Sequence, residues 1–179
     1  MFIVPEYRLI RQWVFLPDGM EYPCPTCRKG MLKFRDRCSR SIRHLGGERE
    51  WLKIPRHQCD NEGCGRIHRM LPDILLPYKH YEQPVVRDSV DGRLDLDKAG
   101  NAPSAESVKR WCHWLMASRL DIEGYVKSAA HRELEFGEEL LRSSVSVLEF
   151  LRMRAPMRWL STVIRIIYNT GGFLRPFYG

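Results

Sequence analysis

The sequence has no uninterrupted apolar run near the about 18 residues that a membrane span requires. Its opening, Met1-Phe2-Ile3-Val4-Pro5-Glu6, has no basic segment, and the apolar run there is too short for a secretory leader. A cytoplasmic protein without a membrane anchor is therefore expected, in a compartment that keeps thiols reduced. No alternation of strand and helix patterns follows residue 80, so a ribonuclease-H-like core is not expected. Acidic residues are absent from 150–179, where five arginines stand. Carboxylates grouped for paired Mg²⁺ on a rigid sheet are lacking as well. Asp88, Asp91, Asp95 and Asp97 do cluster, but on a helix end and a loop, where a solvated role is the expectation.

What is present begins with cysteine. The chain of 179 residues has six, and four form two tight pairs. The first is Cys24-Pro25-Thr26-Cys27 and the second Cys59-Asp60-Asn61-Glu62-Gly63-Cys64, with thirty-one residues between them. Four thiolates suit tetrahedral Zn²⁺, which imposes no geometric preference of its own. Reduced pairs at this spacing point to one structural zinc ion held by Cys24, Cys27, Cys59 and Cys64 rather than to disulfides. Four cysteines also close the coordination shell, whereas a catalytic zinc leaves a position open, so no enzyme is expected. His57 and His68 flank the second pair and are weaker candidates as substitute ligands. Cys38 and Cys112 are expected to be small apolar fillers.

Net charge is +7 and the pI about 9.3, which favours a polyanionic partner. The charge is blocked. Arg28 to His44 holds seven Lys or Arg against Asp36 alone, while residues 121–149 hold seven acids and three bases. At 44% hydrophobic residues the chain can build a real core, as one domain or two small ones.

Three regions are expected. Residues 1–80 read as a zinc ribbon with flanking strands, Phe2-Ile3-Val4 and Trp13-Val14-Phe15-Leu16. A hairpin turns at Gly46-Gly47 and returns from Glu50 to His57. Period-two spacing predicts that Lys33, Arg35 and Arg37 share one strand face and contact phosphates. Residues 81–120 read as a helix-turn-helix. Its first helix runs from Pro84 to a cap at Gly92, and a polar connector follows with a short helix around Leu94-Asp95-Leu96. Ser104 then caps a second helix whose core stripe is Val108, Trp111 and Leu115. Ser107, Lys109, Arg110 and His113 lie opposite that stripe as candidate DNA contacts. Residues 121–179 read as helical, with Gly137 interrupting one run and Pro156 opening a last helix, Met157 to Asn169. Arg158 and Arg165, seven apart, are expected on one side of it.

The distal knuckle is followed by Gly65-Arg66-Ile67-His68-Arg69-Met70-Leu71-Pro72-Asp73-Ile74-Leu75-Leu76-Pro77-Tyr78-Lys79-His80-Tyr81. Together with the first knuckle, this run resembles an uncharacterised group of small bacterial proteins carried by mobile genetic elements, mainly in Firmicutes. Pro103-Ser104-Ala105-Glu106-Ser107-Val108-Lys109-Arg110-Trp111 is similar to that group's Pro-Ser-x-x-Thr-Ile-x-Arg-Trp helix start. The likeness resumes at Trp159-Leu160 and at Val163-Ile164-Arg165-Ile166-Ile167-Tyr168-Asn169. The architecture looks like the N-terminal DNA-binding part of transposases, a zinc ribbon followed by a helix-turn-helix. The resemblance implies DNA binding.

The expectation is therefore an α+β protein with a four-cysteine zinc ribbon, a helix-turn-helix and C-terminal helices. Its expected partner is double-stranded DNA, as an accessory or regulatory factor of a mobile element working beside a recombinase or transposase. The alternatives are an adaptor docking an acidic protein partner, such as a recombinase subunit, and an RNA-binding zinc ribbon.

Overall fold

The computed structural model describes residues 1–94, 103–135 and 137–176 and is a mixed α+β structure. Six strands come first: β1 (Phe2–Val4), β2 (Arg8–Ile10), β3 (Trp13–Phe15), β4 (Leu32–Arg43), β5 (Arg49–Cys59) and β6 (Ile67–Pro72). Six helices follow: α1 (Gln83–Val90), α2 (Ala105–Ala117), α3 (Arg119–Glu133), α4 (Gly137–Arg142), α5 (Val147–Arg154) and α6 (Trp159–Asn169). No helix among the described residues is long and apolar enough to cross a membrane.

Strand β5 organises the sheet. It pairs antiparallel with β4 along its whole length, from Leu32 opposite Cys59 to Arg43 opposite Arg49. The turn between them closes through the Gly47 N–H to the His44 carbonyl, with Gly47 in the left-handed region at φ 82°. On its other edge β5 meets β6 at residues 56–58 and β3 at Lys53, opposite Trp13. Strand β6 carries β1 in parallel, and β3 carries β2, a short strand that the sequence pattern did not announce.

Side-chain alternation makes this sheet a partition between two cores. Ile3, Val14, Ile42, Leu52, Ile54 and Leu71 point to one face and merge with the helices in a single core. Phe2, Val4, Leu32, Cys59 and Met70 point to the other, where a smaller core includes Tyr22 and Cys24. The helical core draws on all three stretches of the chain, from Ile3 through Val86 and Trp111 to Ile166.

The basic stripe of β4 does not form as the spacing predicts. The register slips between Phe34 and Asp36, opposite His57 and Arg56, so Arg35 is the extra residue of a bulge. Lys33 and Arg37 consequently lie on opposite faces. Arg56 grips Asp36 through both guanidinium branches and holds its carboxyl below the usual range, fixing the bulge. Arg37 is half-buried. It donates to the Val14 and Lys53 carbonyls and stands against the rings of Trp13, Phe15 and Phe34.

The helices follow their local signals closely. Pro84 lies in the first turn of α1, and Gly92, at φ 66°, follows its C-cap Asp91. The Ser104 hydroxyl accepts from the Ser107 N–H and caps α2, which buries Trp111, Trp114 and Leu115. Most of the connector between α1 and α2, including Asp95, Leu96 and Asp97, lies outside the described residues. Gly137 does not interrupt a helix but begins α4. A Cβ there would stand 2.1 Å from the Ala130 carbonyl oxygen, so only glycine permits this approach to α3. Leu141 of α4 is exposed. The last helix starts at Trp159, two residues later than expected, with Arg158 as its N-cap residue. Arg158 and Arg165 both face Asp73, and their charges oppose the upward push that burial gives its carboxyl.

Two tethers fix the helical layer. Asn169, the last residue of α6, accepts from the Ile3 N–H at 2.7 Å and donates to the Ile3 carbonyl at 2.9 Å, completing the edge of β1. Asp91 is buried rather than solvated. It accepts from Arg152 Nε at 2.8 Å, Trp159 Nε1 at 2.9 Å and Arg93 at 2.7 Å, joining α1 to α5 and α6. Asp88 pairs with the buried Arg87, whose third branch reaches the Met157 carbonyl. Both carboxylates are thus committed to holding helices. Replacing Asp91 by Ala removes the acceptor of the buried Trp159 and of the half-buried Arg152 and should destabilise the protein by about 1–3 kcal/mol, measurable by urea or thermal denaturation.

Candidate metal centre and basic cleft

The two cysteine knuckles meet because β4 and β5 run side by side. Leu32, just after the first knuckle, lies opposite Cys59, the first cysteine of the second. Reciprocal bonds lock the loops together: Asp60 N–H donates to the Met31 carbonyl, and Met31 N–H donates to Asp60 Oδ1 at 2.7 Å. Within the first knuckle, Cys24 N–H donates to the Gly30 carbonyl and Arg28 N–H to the Cys24 carbonyl. Within the second, the Asn61 carbonyl accepts from both Cys64 and Gly65. Gly30 lies where the two loops touch. A Cβ on it would meet Cys59 Sγ at 2.6 Å and Asn61 Cβ at 2.7 Å, so the approach excludes any larger residue.

The four sulfurs converge. Cys24 and Cys64 Sγ are 3.9 Å apart, Cys27 and Cys59 Sγ 3.6 Å, and all four lie within 4.8 Å of one another. A disulfide needs about 2.05 Å, and all six cysteines are free thiols. Ligands about 2.3 Å from a tetrahedral zinc stand about 3.8 Å apart, so these separations fit a four-sulfur site. The cluster can hold a metal ion, as the spacing predicts. N–H groups of Lys29 and Gly30 donate to Cys27 and bring its thiol down to about 6, while burial pushes Cys59 up to about 12. The clustered thiols titrate together, and a bound cation would favour their ionised forms.

Neither candidate histidine joins the cluster. His68 is buried with Nε2 3.7 Å from Cys24 Sγ and Nδ1 3.5 Å from the N-terminal amine, in hydrogen-bonding reach of one sulfur of the cluster. His57 is held edge-on between Tyr22 and Phe34, away from the sulfurs. Cys38 pairs with Ile54 and packs against the helical core, and Cys112 is half-buried on α2.

A second feature was only half legible. A cleft of about 330 Å³ opens between α2 and the segment that follows β6, lined by Arg43, Lys79, His80, Tyr81, Ser107 and Arg110 among others. No carboxylate lines it among the described residues. Two of the α2 residues expected to contact DNA, Ser107 and Arg110, thus reach this cleft, while Lys109 and His113 stand exposed on the helix outside its lining. The other cations come from the sheet side. Arg40 donates to the Leu76 and Lys79 carbonyls and shapes the turn, in which Tyr78 takes a positive φ of 60°. Lys79 Nζ sits 4.2 Å from the Trp114 ring centroid, and burial brings its pKa down to about 8. His80 is pushed below its ordinary value by burial and by Arg40, Arg43 and Arg49, the signature of a positive field. Sequence reading counted Arg43 but not its convergence with Lys79 and His80, which depends on the chain folding back beside β4 at Tyr81.

Residues 24–111 are similar to a family described as a domain of unknown function, DUF6431. That stretch, just under half of the 179 residues, runs from the first cysteine to Trp111 of α2. It therefore contains both knuckles and every cation of the cleft. No curated protein and no solved structure matches the chain.

The purified protein should bind about one metal equivalent per chain, which Cys59→Ser abolishes as read by elemental analysis. Lowering the pH from about 7 to about 4 should release the metal, because protons displace it from the thiolates. Gly30→Ala should weaken metal retention without removing any ligand.

Proposed function

We propose that the chain is a zinc-dependent DNA-binding protein, an accessory or regulatory factor of a mobile element that performs no chemistry itself. In this reading Cys24, Cys27, Cys59 and Cys64 hold one zinc ion, which supplies folding energy and no reactive position. The knuckles and the β4–β5 hairpin act as a zinc ribbon, and α1 and α2 act as a helix-turn-helix. The partner is double-stranded DNA, in company with a recombinase or transposase.

The observation that carries the reading is the cleft. Arg110 of α2 meets Arg43 and Lys79 there with no carboxylate among the lining residues described. Cations left without counter-charges suit phosphate oxygens, and a lysine whose pKa burial lowers to about 8 is held more firmly in its charged form when an anion arrives. Ser107, one turn before Arg110, adds a hydroxyl donor near the N-terminus of α2, whose dipole also favours an anion. Lys109 and His113 would lie against the duplex beside the cleft, and Lys33 and Arg35 are exposed for backbone contacts further along. Arg37 is the weakest of the expected contacts, since its guanidinium is already engaged.

Selection from a random duplex pool should enrich a motif, and duplex affinity should fall log-linearly with salt. Lys79→Gln should weaken all duplexes and lower the salt slope by about one. Arg110→Ala should lose about 1–3 kcal/mol on the selected site and little on random DNA if it holds a guanine. A shallow salt slope, with tight co-purification of an acidic protein, would overturn the DNA reading in favour of an adaptor.

A further inference from the structure

The helices cover one face of the sheet, and the cysteine core covers only one end of the other. At the far end of that second face Ser41, opposite Trp51, is buried and bonded to His80, and the 16–22 loop adjoins Phe15 and Phe34; between them the face is exposed. The registers place Trp13, Lys53 and Ser39 in one row across β3, β5 and β4, and Phe15, Pro55 and Arg37 in the next. Trp51 lies on the same face one step before Lys53, and Phe34 lies beyond the second row, opposite His57. Three of these aromatic side chains are exposed, Trp13 by 46%, Trp51 by 51% and Phe34 by 60%.

The patch is rigid. Arg37 is fixed by its bonds to two backbone carbonyls and stands 5.3, 5.0 and 5.7 Å from the ring centroids of Trp13, Phe15 and Phe34. Lys53 donates to Ser39 Oγ at 3.0 Å. No carboxylate of the described residues forms an ion pair with either cation. Asp18 and Glu21 line the hollow beside Phe34, whereas exposed rings and cations that form no ion pair, around Trp13, Trp51 and Lys53, are the ingredients of a stacking platform. Each ring offers a π-face to a planar base, and the cations attract the backbone.

We propose that this face binds a single-stranded nucleic acid, stacking unpaired bases on Trp13, Phe34 and Trp51 while Lys53 and Arg37 supply the positive potential. Two other occupants fit less well. A protein interface core is depleted of charge, whereas here cations stand between the rings. A second copy of the chain would bring Arg37 and Lys53 against themselves. The rings and cations of this site line no part of the cleft beside α2, and the inference does not depend on duplex binding.

The test measures binding of labelled oligothymidylate, and of its RNA counterpart, by anisotropy and tryptophan quenching. The zinc-loaded full chain is compared with its Trp13→Ala, Trp51→Ala and Phe34→Ala variants. These side chains are exposed, so thermal melting and metal content should stay as in the parent. Each variant should bind the single strand about tenfold more weakly or worse, and duplex affinity should be unchanged. Trp51→Phe should retain most binding, whereas Trp51→Leu should not. Absence of single-strand binding by the parent chain overturns the proposal. So does equal binding by Trp51→Leu, or a dimer that Trp51→Ala dissociates. Arg110→Ala should leave single-strand binding intact, so a failure of the duplex reading is distinguishable from a failure here.

Discussion

Strand β5 places Ile54 and Cys59 five residues apart on opposite faces of one sheet, and the arrangement of the whole molecule depends on that. In an extended strand successive side chains alternate, so an eleven-residue strand can bury one face early and the other late. Leu52 and Ile54 enter the helical core, while Cys59 enters the core around the sulfurs. β1 and β6 repeat the division, with Ile3 and Leu71 on one side and Phe2, Val4 and Met70 on the other. The cysteine end is therefore continuous with the helical layer through the backbone of a shared sheet.

Two contacts reinforce that continuity from the far end of the chain. Asn169 behaves as an extra strand residue beside Ile3, satisfying a donor and an acceptor that β1 would otherwise leave unpaired. One residue of clearance decides the next contact. A Cβ at Gly171 would stand 2.5 Å from the Pro25 carbonyl oxygen, and Arg28 donates to the Thr170 carbonyl. The end of α6 is thus seated on the first cysteine loop. Packing, rather than chain proximity, joins the N-terminal knuckle to the last helix.

Charge is arranged with similar economy. Carboxylates that look like a solvated cluster in the sequence are consumed inside: Asp91 by Arg152, Arg93 and Trp159, and Asp88 by Arg87. Asp36 is consumed by Arg56 at the β4 bulge. Among the described residues, that leaves Arg43, Lys79 and Arg110 around one cleft, and Lys53 and Arg37 on the sheet face, outside any ion pair. Five cations are thereby placed on two surfaces of different chemistry. One is a groove beside a capped helix and the other an aromatic plane.

Much of this was readable in the chain because its causes are local. The spacing of Cys24, Cys27, Cys59 and Cys64 set the four-sulfur cluster, since knuckle geometry depends on a few neighbouring residues. Ser104 and the stripe of Trp111 and Leu115 marked α2, and Gly92 marked the end of α1, because caps and helical period act within one or two turns. Residues far apart in sequence settled the rest. Alternation alone predicts one face for Lys33, Arg35 and Arg37, but the bulge that separates them is fixed by Arg56, twenty residues beyond Asp36. The cleft likewise needs Arg110 carried across to Arg43 and Lys79, and the open aromatic face needs Trp13 laid beside Lys53. Local propensity names the elements and the ligands. Only the closure of the sheet decides which charges meet and which faces stay uncovered.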